Sequence, residues 1–143
     1  MYGSKQGDAR VKRMLDSLDI HYSVDQDDDF EVAVAFEDGR SQLAFVNSET
    51  QFIGDFEIRE VWSVGYVTQG FLDIDTANTL LLENDFMKIG SWRLKQVDDN
   101  TFAAVYCIQI AADCDPQSFV NTLKLVLRVA DEMEEKLTGR DNL

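Results

Sequence analysis

One histidine, one proline and two cysteines are all that 143 residues hold of these types, and each shortage removes a class of function. A serine-histidine-aspartate relay or a multi-histidine metal site needs imidazoles that His21 alone cannot supply. Cys107 and Cys114 lie seven apart and form no CxxC pair. They therefore make neither a zinc set nor a dithiol redox motif, and they read as a reduced intracellular pair. Cys107 acting as a nucleophile would need His21 as its base, and nothing in the sequence brings the two together. Basic residues are scarce as well, 13 Lys and Arg against 27 Asp and Glu, for a net charge of −14. Nucleic acids and anionic membranes both require a basic face, so neither is an expected partner. No apolar run approaches the roughly 20 residues that span a bilayer, and residues 1–7 read as a frayed polar lead, not a secretory core. The expected compartment is the cytoplasm.

What remains is the composition of a folded chain, 45% hydrophobic and 10% aromatic, in one domain over residues 1–143. Its organising stretch is Asp115 to Leu137. Asp115 is a natural N-cap, and Pro116 occupies the first helical position, where a missing N–H costs nothing. Phe119, Leu123, Val126, Ala130, Met133 and Leu137 then recur at helical spacing, a stripe about 35 Å long at about 1.5 Å per residue. Val120, Leu127 and Val129 widen the stripe. Asp131, Glu132, Glu134 and Glu135 are expected to face water, and Gly139 to end the helix.

A stripe of that length needs a cover, and the preceding chain supplies a sheet. Asp8 to Leu18 reads as a first helix with Val11, Met14, Leu15 and Leu18 on one face. A carboxylate-rich turn at Asp25 to Asp29 leads into a strand from Phe30 to Glu37. Asp38-Gly39 is a hairpin signal, and the chain returns along Arg40 to Asn47. Phe56 to Val67 alternates again, with Phe56, Ile58, Trp62, Val64 and Tyr66 on one face. A middle helix capped by Asp73 or Asp75 runs to about Asn84, with Ile74, Ala77, Leu80 and Leu81 as its expected buried face. Strands follow at Phe86 to Val97 and Thr101 to Ala111. The order is α-β-β-β-α-β-β-α, and its hairpin connections favour an antiparallel sheet packed against helices, an α+β fold. Val46, Val61 and Val105 are expected on the sheet's other face, as a second contact surface.

The spacing Asp25-x-Asp27-x-Asp29 invites a calcium loop. An EF-hand needs glycine at the sixth position and glutamate at the twelfth, where Phe30 and Phe36 stand, so the stretch reads as a solvated turn. Carboxylate pairs carry little information in so acidic a chain, and glycines 65, 70 and 90 form no phosphate cradle. No catalytic residue, cofactor or metal is assigned. Trp62, Tyr66, Phe71 and Trp92 are core aromatics or interface anchors.

Several of these stretches resemble a known family. Residues 79–94, TLLLENDFMKIGSWRL, have its helix ending in asparagine and then a strand with a glycine. Residues 130–137, ADEMEEKL, resemble its terminal helix, and Val11 to Asp29 its opening helix and aspartate-rich turn. With the element order, the chain resembles the type III secretion chaperone-like fold and, within it, the YbjN-like group of bacterial and cyanobacterial proteins. The resemblance implies a homodimer without enzymatic activity that binds another protein or acts in regulation. Protein-binding positions carried over from it are Val11, Met14 and Leu15 on the first helix and Phe56, Ile58, Trp62, Val64 and Tyr66 on the sheet. Val120, Leu127 and Trp92 are candidate dimer contacts. A dedicated secretion chaperone for one effector, and a regulatory domain sensing a small molecule beneath the middle helix, are the alternatives.

Overall fold

The computed structural model describes residues 7–143, so most of the polar lead, with Lys5, lies outside the described residues. Three helices, α1 (Ala9–Ser17), α2 (Ile74–Asn84) and α3 (Pro116–Thr138), accompany seven strands. These are β1 (Ser23–Val24), β2 (Phe30–Ala35), β3 (Ser41–Val46), β4 (Gln51–Ile53), β5 (Phe56–Gln69), β6 (Ser91–Gln96) and β7 (Thr101–Ala111). The sheet is antiparallel throughout, in the order β1-β2-β3-β5-β7-β6, with β4 folded back on the start of β5. This is the expected α+β arrangement with two short strands added. β1 extends the sheet at Ser23 and Val24, and β4 exists because Gly54, at a φ of +64°, reverses the chain so that Phe52 pairs with Glu57.

The caps form as their residue types dictate. The Asp8 carboxylate accepts the Arg10 N–H, Asp73 accepts that of Thr76, and Asp115 that of Ser118. Along α3, Phe119, Leu123, Val126, Ala130 and Met133 are buried against β3, β5 and β7. Val11 and Leu15 of α1 and Leu80 of α2 join the same core.

Four expectations are corrected by the packing. Asp131 and Glu134 are buried, because Arg40 reaches across from the β2–β3 turn and neutralises them. Val46 and Val61 are fully buried on the helix side, paired with each other, so the far face of the sheet belongs to their neighbours Phe45 and Trp62. A bulge between Val64 and Tyr66 takes up Gly65 as an extra residue and turns Tyr66 to the helix side, opposite the buried Ala104. β6 begins only at Ser91. Residues 85–90 make a turn, with the Met87 N–H donating to the Asn84 carbonyl and Gly90 at a φ of +77°.

The Asp38-Gly39 turn forms, though not as a two-residue loop. Phe36 and Arg40 close it, and Gly39 carries its positive φ.

Candidate protein-binding surfaces

With the helices feeding one core, the other face of the sheet is set by strand alternation and register. Leu43 pairs with Ala33, Phe45 with Trp62, Trp62 with Cys107, and Val64 with Val105. Phe45 and Trp62 stack with ring centroids 4.4 Å apart and an interplanar angle of 18°. The Lys95 ammonium sits 4.5 Å from the Trp62 ring centroid, a cation–π arrangement. Trp62 Nε1 donates to Asn47 Oδ1 at 2.8 Å, which fixes the indole in this pose. Beside it Glu60 accepts from Arg93 at 2.5 Å and from Gln109 at 3.0 Å. Burial opposes ionisation of Glu60, but these donors hold its carboxyl below the ordinary range.

The positions carried over from the family resemblance divide between surface and interior. Trp62 and Val64 are half-buried on this face, and Ile58 is buried at its margin. Phe56 is exposed beside Phe52 and Ile53 at the β4 turn. Tyr66 lies on the opposite side of the sheet for the reason given above. Val11 and Leu15 are buried and Met14 half-buried, so they attach α1 to the sheet and offer little to a partner. Of the three candidate dimer contacts, Leu127 and Trp92 are enclosed within the core and Val120 is half-exposed.

Among the described residues, large uncovered apolar side chains gather instead around α2. Ile74, Leu81 and Leu82 of the helix, with Phe71 before it and Phe86 after it, are each at least 65% exposed. Leu80 is the one buried residue of the helix, so Ile74 and Leu81, expected inside, are outside. The reason is geometric: at 3.6 residues per turn, residues 74, 80, 81 and 82 spread over an arc of roughly 200°, and one sheet can cover only one side. A helix whose apolar arc is wider than the side its own domain covers leaves part of that arc for another contact, and the run Leu80-Leu81-Leu82 was the signal in the sequence. Two grooves flank the helix. One, against β6, is lined by Leu72, Ala77, Leu80, Leu81, Trp92 and Leu94. The other, against the end of α3, is lined by Leu82, Phe86, Met87 and Lys136.

The charged clusters are accounted for by structural bonds. Asp25 Oδ1 accepts the N–H groups of Asp27 and Asp29, and Asp29 Oδ1 accepts that of Ser48, so these carboxylates cap their own loop. Among the described residues one group of three carboxylates, Asp131, Glu134 and Asp141, converges closely enough to hold a cation. The Arg40 guanidinium already meets two of them, and the third accepts the Ser41 N–H. Arg59, buried, donates to Asp8 and to the carbonyls of Asn47 and Ser48, tying α1 to the sheet. Cys107 is buried, and desolvation pushes its thiol up to about 11, which suits a core residue and not a nucleophile. His21 is exposed at the β1 margin.

No family model matches this sequence, and no curated protein matches it. Among solved structures, the crystal structure of YbjN from E. coli, described there as a proposed transcription regulator, superposes with a TM-score of 0.61. The match covers 95% of this chain and 94% of that one at 13% identity. Within the described residues, no helix is long and apolar enough to cross a membrane. At that identity the likeness shows the fold alone: this chain has a YbjN-like fold.

Proposed function

We propose that this protein is a non-enzymatic protein-binding or regulatory module that docks another polypeptide on the apolar surface around α2. The observation that carries the reading is that Ile74, Leu81 and Leu82 of α2 stay exposed while Leu80 is its one buried residue. Five large side chains, each exposing on the order of 100 Å², supply more than half of the roughly 800 Å² that one partner contributes to a standard interface. The regulatory role proposed for YbjN agrees with this reading. Regulation here runs through protein contact, because a net charge of −14 repels a nucleic-acid backbone. The stacked pair Phe45 and Trp62 on the far face offers the same partner, or a second copy of the chain, a further aromatic anchor.

The test compares wild type with Leu82→Glu and Phe86→Glu, both exposed and so compatible with folding. Each is used to capture partners from the cytoplasm of its host at low salt, followed by mass spectrometry and by sedimentation of the pure protein. A stoichiometric partner, or a second copy, held by wild type and lost from both variants is the expected result. Identical retention by all three proteins would remove α2 from any docking role.

A further inference from the structure

We infer that residues 139–143 form a hinged lid over an open seam between β3 and β5, held shut by Arg40 and loosened as pH rises. This is independent of the docking surface around α2. The seam begins where the bulge at Gly65 bends β5. β3 starts at Ser41 and β5 runs on to Gln69, yet their ladder ends at Ala44 and Ser63. Side chains take the place of the missing ladder. Gln42 Nε2 donates to the Val64 carbonyl at 2.6 Å and to Ser63 Oγ at 3.0 Å. The Ser41 N–H donates to the Asp141 carboxylate, at 3.1 and 3.0 Å from its two oxygens. Gly139, at a φ of +67°, ends α3 and serves as the hinge that turns the chain back towards β3. Arg40 Nη2 donates to the Arg140 carbonyl at 2.7 Å, and the Asn142 N–H to Glu134 Oε2 at 2.7 Å, which latches the lid. Between the lid and the end of β5 lies a cavity of about 380 Å³, bordered by Tyr66, Val67, Glu134 and Thr138.

The charges around the latch set the direction of its response. Asp131 and Glu134 of α3 and Asp141 of the lid bring carboxylate oxygens within 4.8 Å of one another. Asp38 and Arg40 face them from the β2–β3 turn, and Glu135 of α3 stands 3.9 Å from Arg40 Nε. On the lid, the Arg140 guanidinium makes no ion pair among the described residues. Carboxylates thus outnumber the guanidinium that holds them. Closing the lid adds Asp141 to a group already negative, and opening carries it away. Burial pushes the Asp131 carboxyl up, Arg40 draws it down, and Asp141 and Asp38 push it up again, for a net rise. The closed state therefore binds a proton more readily than the open one. Closing is favoured as pH falls, and this contribution is lost as pH rises through the raised value. An open lid bares the Ser41 N–H together with Tyr66 and Val67, so the exposure of this stretch of the sheet follows the proton concentration.

The experiment measures amide hydrogen exchange of the full chain by NMR, with each rate referred to the unstructured rate at the same pH. The Ser41 and Asn142 amides report the lid, and that of Val61, paired on both sides in the middle of the sheet, reports global opening. In wild type the lid amides are expected to be at least about threefold better protected at about pH 5 than at about pH 7, with Val61 changing less. Asp141→Asn keeps an acceptor for Ser41 and removes the charge, so at the higher pH it should hold the lid as firmly as wild type does at the lower. Asp141→Ala removes both and should leave the lid open at either pH. Three results would each overturn the inference: equal protection of the wild-type lid at the two pH values, Asp141→Asn behaving as Asp141→Ala, or a change at Val61 as large as at the lid.

Discussion

Arg40, leaving the β2–β3 turn, donates from Nε to Asp131 Oδ1 on α3 at 2.9 Å, across 91 positions of sequence. Its Nη2 also reaches Glu134 Oε1 and the Arg140 carbonyl, while Asn142 donates its N–H to Glu134 Oε2. One guanidinium thus closes the hairpin, the last helix and the C-terminal residues on one another. Desolvation raises the Asp131 carboxyl above its ordinary value even with Arg40 beside it. Removing one partner of a buried ion pair leaves an uncompensated charge. Arg40→Ala is accordingly expected to lower the urea midpoint well beyond the exposed control Arg128→Ala, and to open residues 139–143 to carboxypeptidase. Equal midpoints would show that the pair contributes nothing net.

Asp8 supplies a pH signature. Burial acts against its charge, but hydrogen bonds from Arg10 and Arg59 hold its carboxyl well below the ordinary 3.8. Glu57, bonded by Arg10 and Thr50, is held down at about 2. A carboxyl lowered in the folded state adds stability that is complete above the unfolded value and lost as pH falls through the folded one. The gap in urea midpoint between wild type and Asp8→Asn should be full at pH 6, shrink below about pH 4 and close only below pH 2. A gap independent of pH would mean that the cap hydrogen bond, and not the charge, is what matters.

At Gly65 the bulge and the core meet. A Cβ there would stand 2.4 Å from Trp92 Cη2 and 3.4 Å from the Ala130 carbonyl oxygen. Gly65→Ala forces the indole to move, at about 1–3 kcal/mol for overpacking a closed core. Denaturation should show that loss together with a shift in the emission of Trp92, isolated in a Trp62→Phe background. An unchanged spectrum would mean that the ring has room.

The two thiols should separate cleanly. Cys107 is buried with its thiol raised to about 11, whereas Cys114 is partly exposed before the α3 cap and only raised above its usual value. Titration of the native protein with a thiol reagent at pH 8 should label Cys114 first, and Cys114→Ser should remove the fast phase. Fast labelling of Cys107 would indicate local opening between β6 and β7.

Much of the architecture was legible because it depends on short-range rules. The α3 stripe with its cap at Asp115, a cap for α2 at Asp73 or Asp75, and a turn at Asp38-Gly39 all follow from residues within a few positions of one another, whereas Asp8, expected inside the first helix, is its cap. The same holds for β7, whose alternation places Phe102, Ala104, Tyr106 and Ile108 on one face. The surfaces were less legible. Alternation placed Tyr66 with Trp62, and one inserted residue at Gly65 sent it to the opposite side. Trp92 could anchor an interface or a core, and the Asn84 clamp together with the missing side chain at Gly65 placed it in the core.

By itself the sequence determined the fold class, the order of the principal elements, the acidity and the stripe that builds the core, because hydrophobic period, capping and turn chemistry act locally along the chain. The tertiary structure decided which apolar residues remain uncovered and which acids are enclosed. Ile74 and Leu81 are exposed because nothing in the described chain reaches the outer side of α2, while Asp131 and Glu134 are buried because Arg40 arrives from far away in sequence. Burial is a property of what lies opposite a residue, and pattern along the chain does not record what lies opposite.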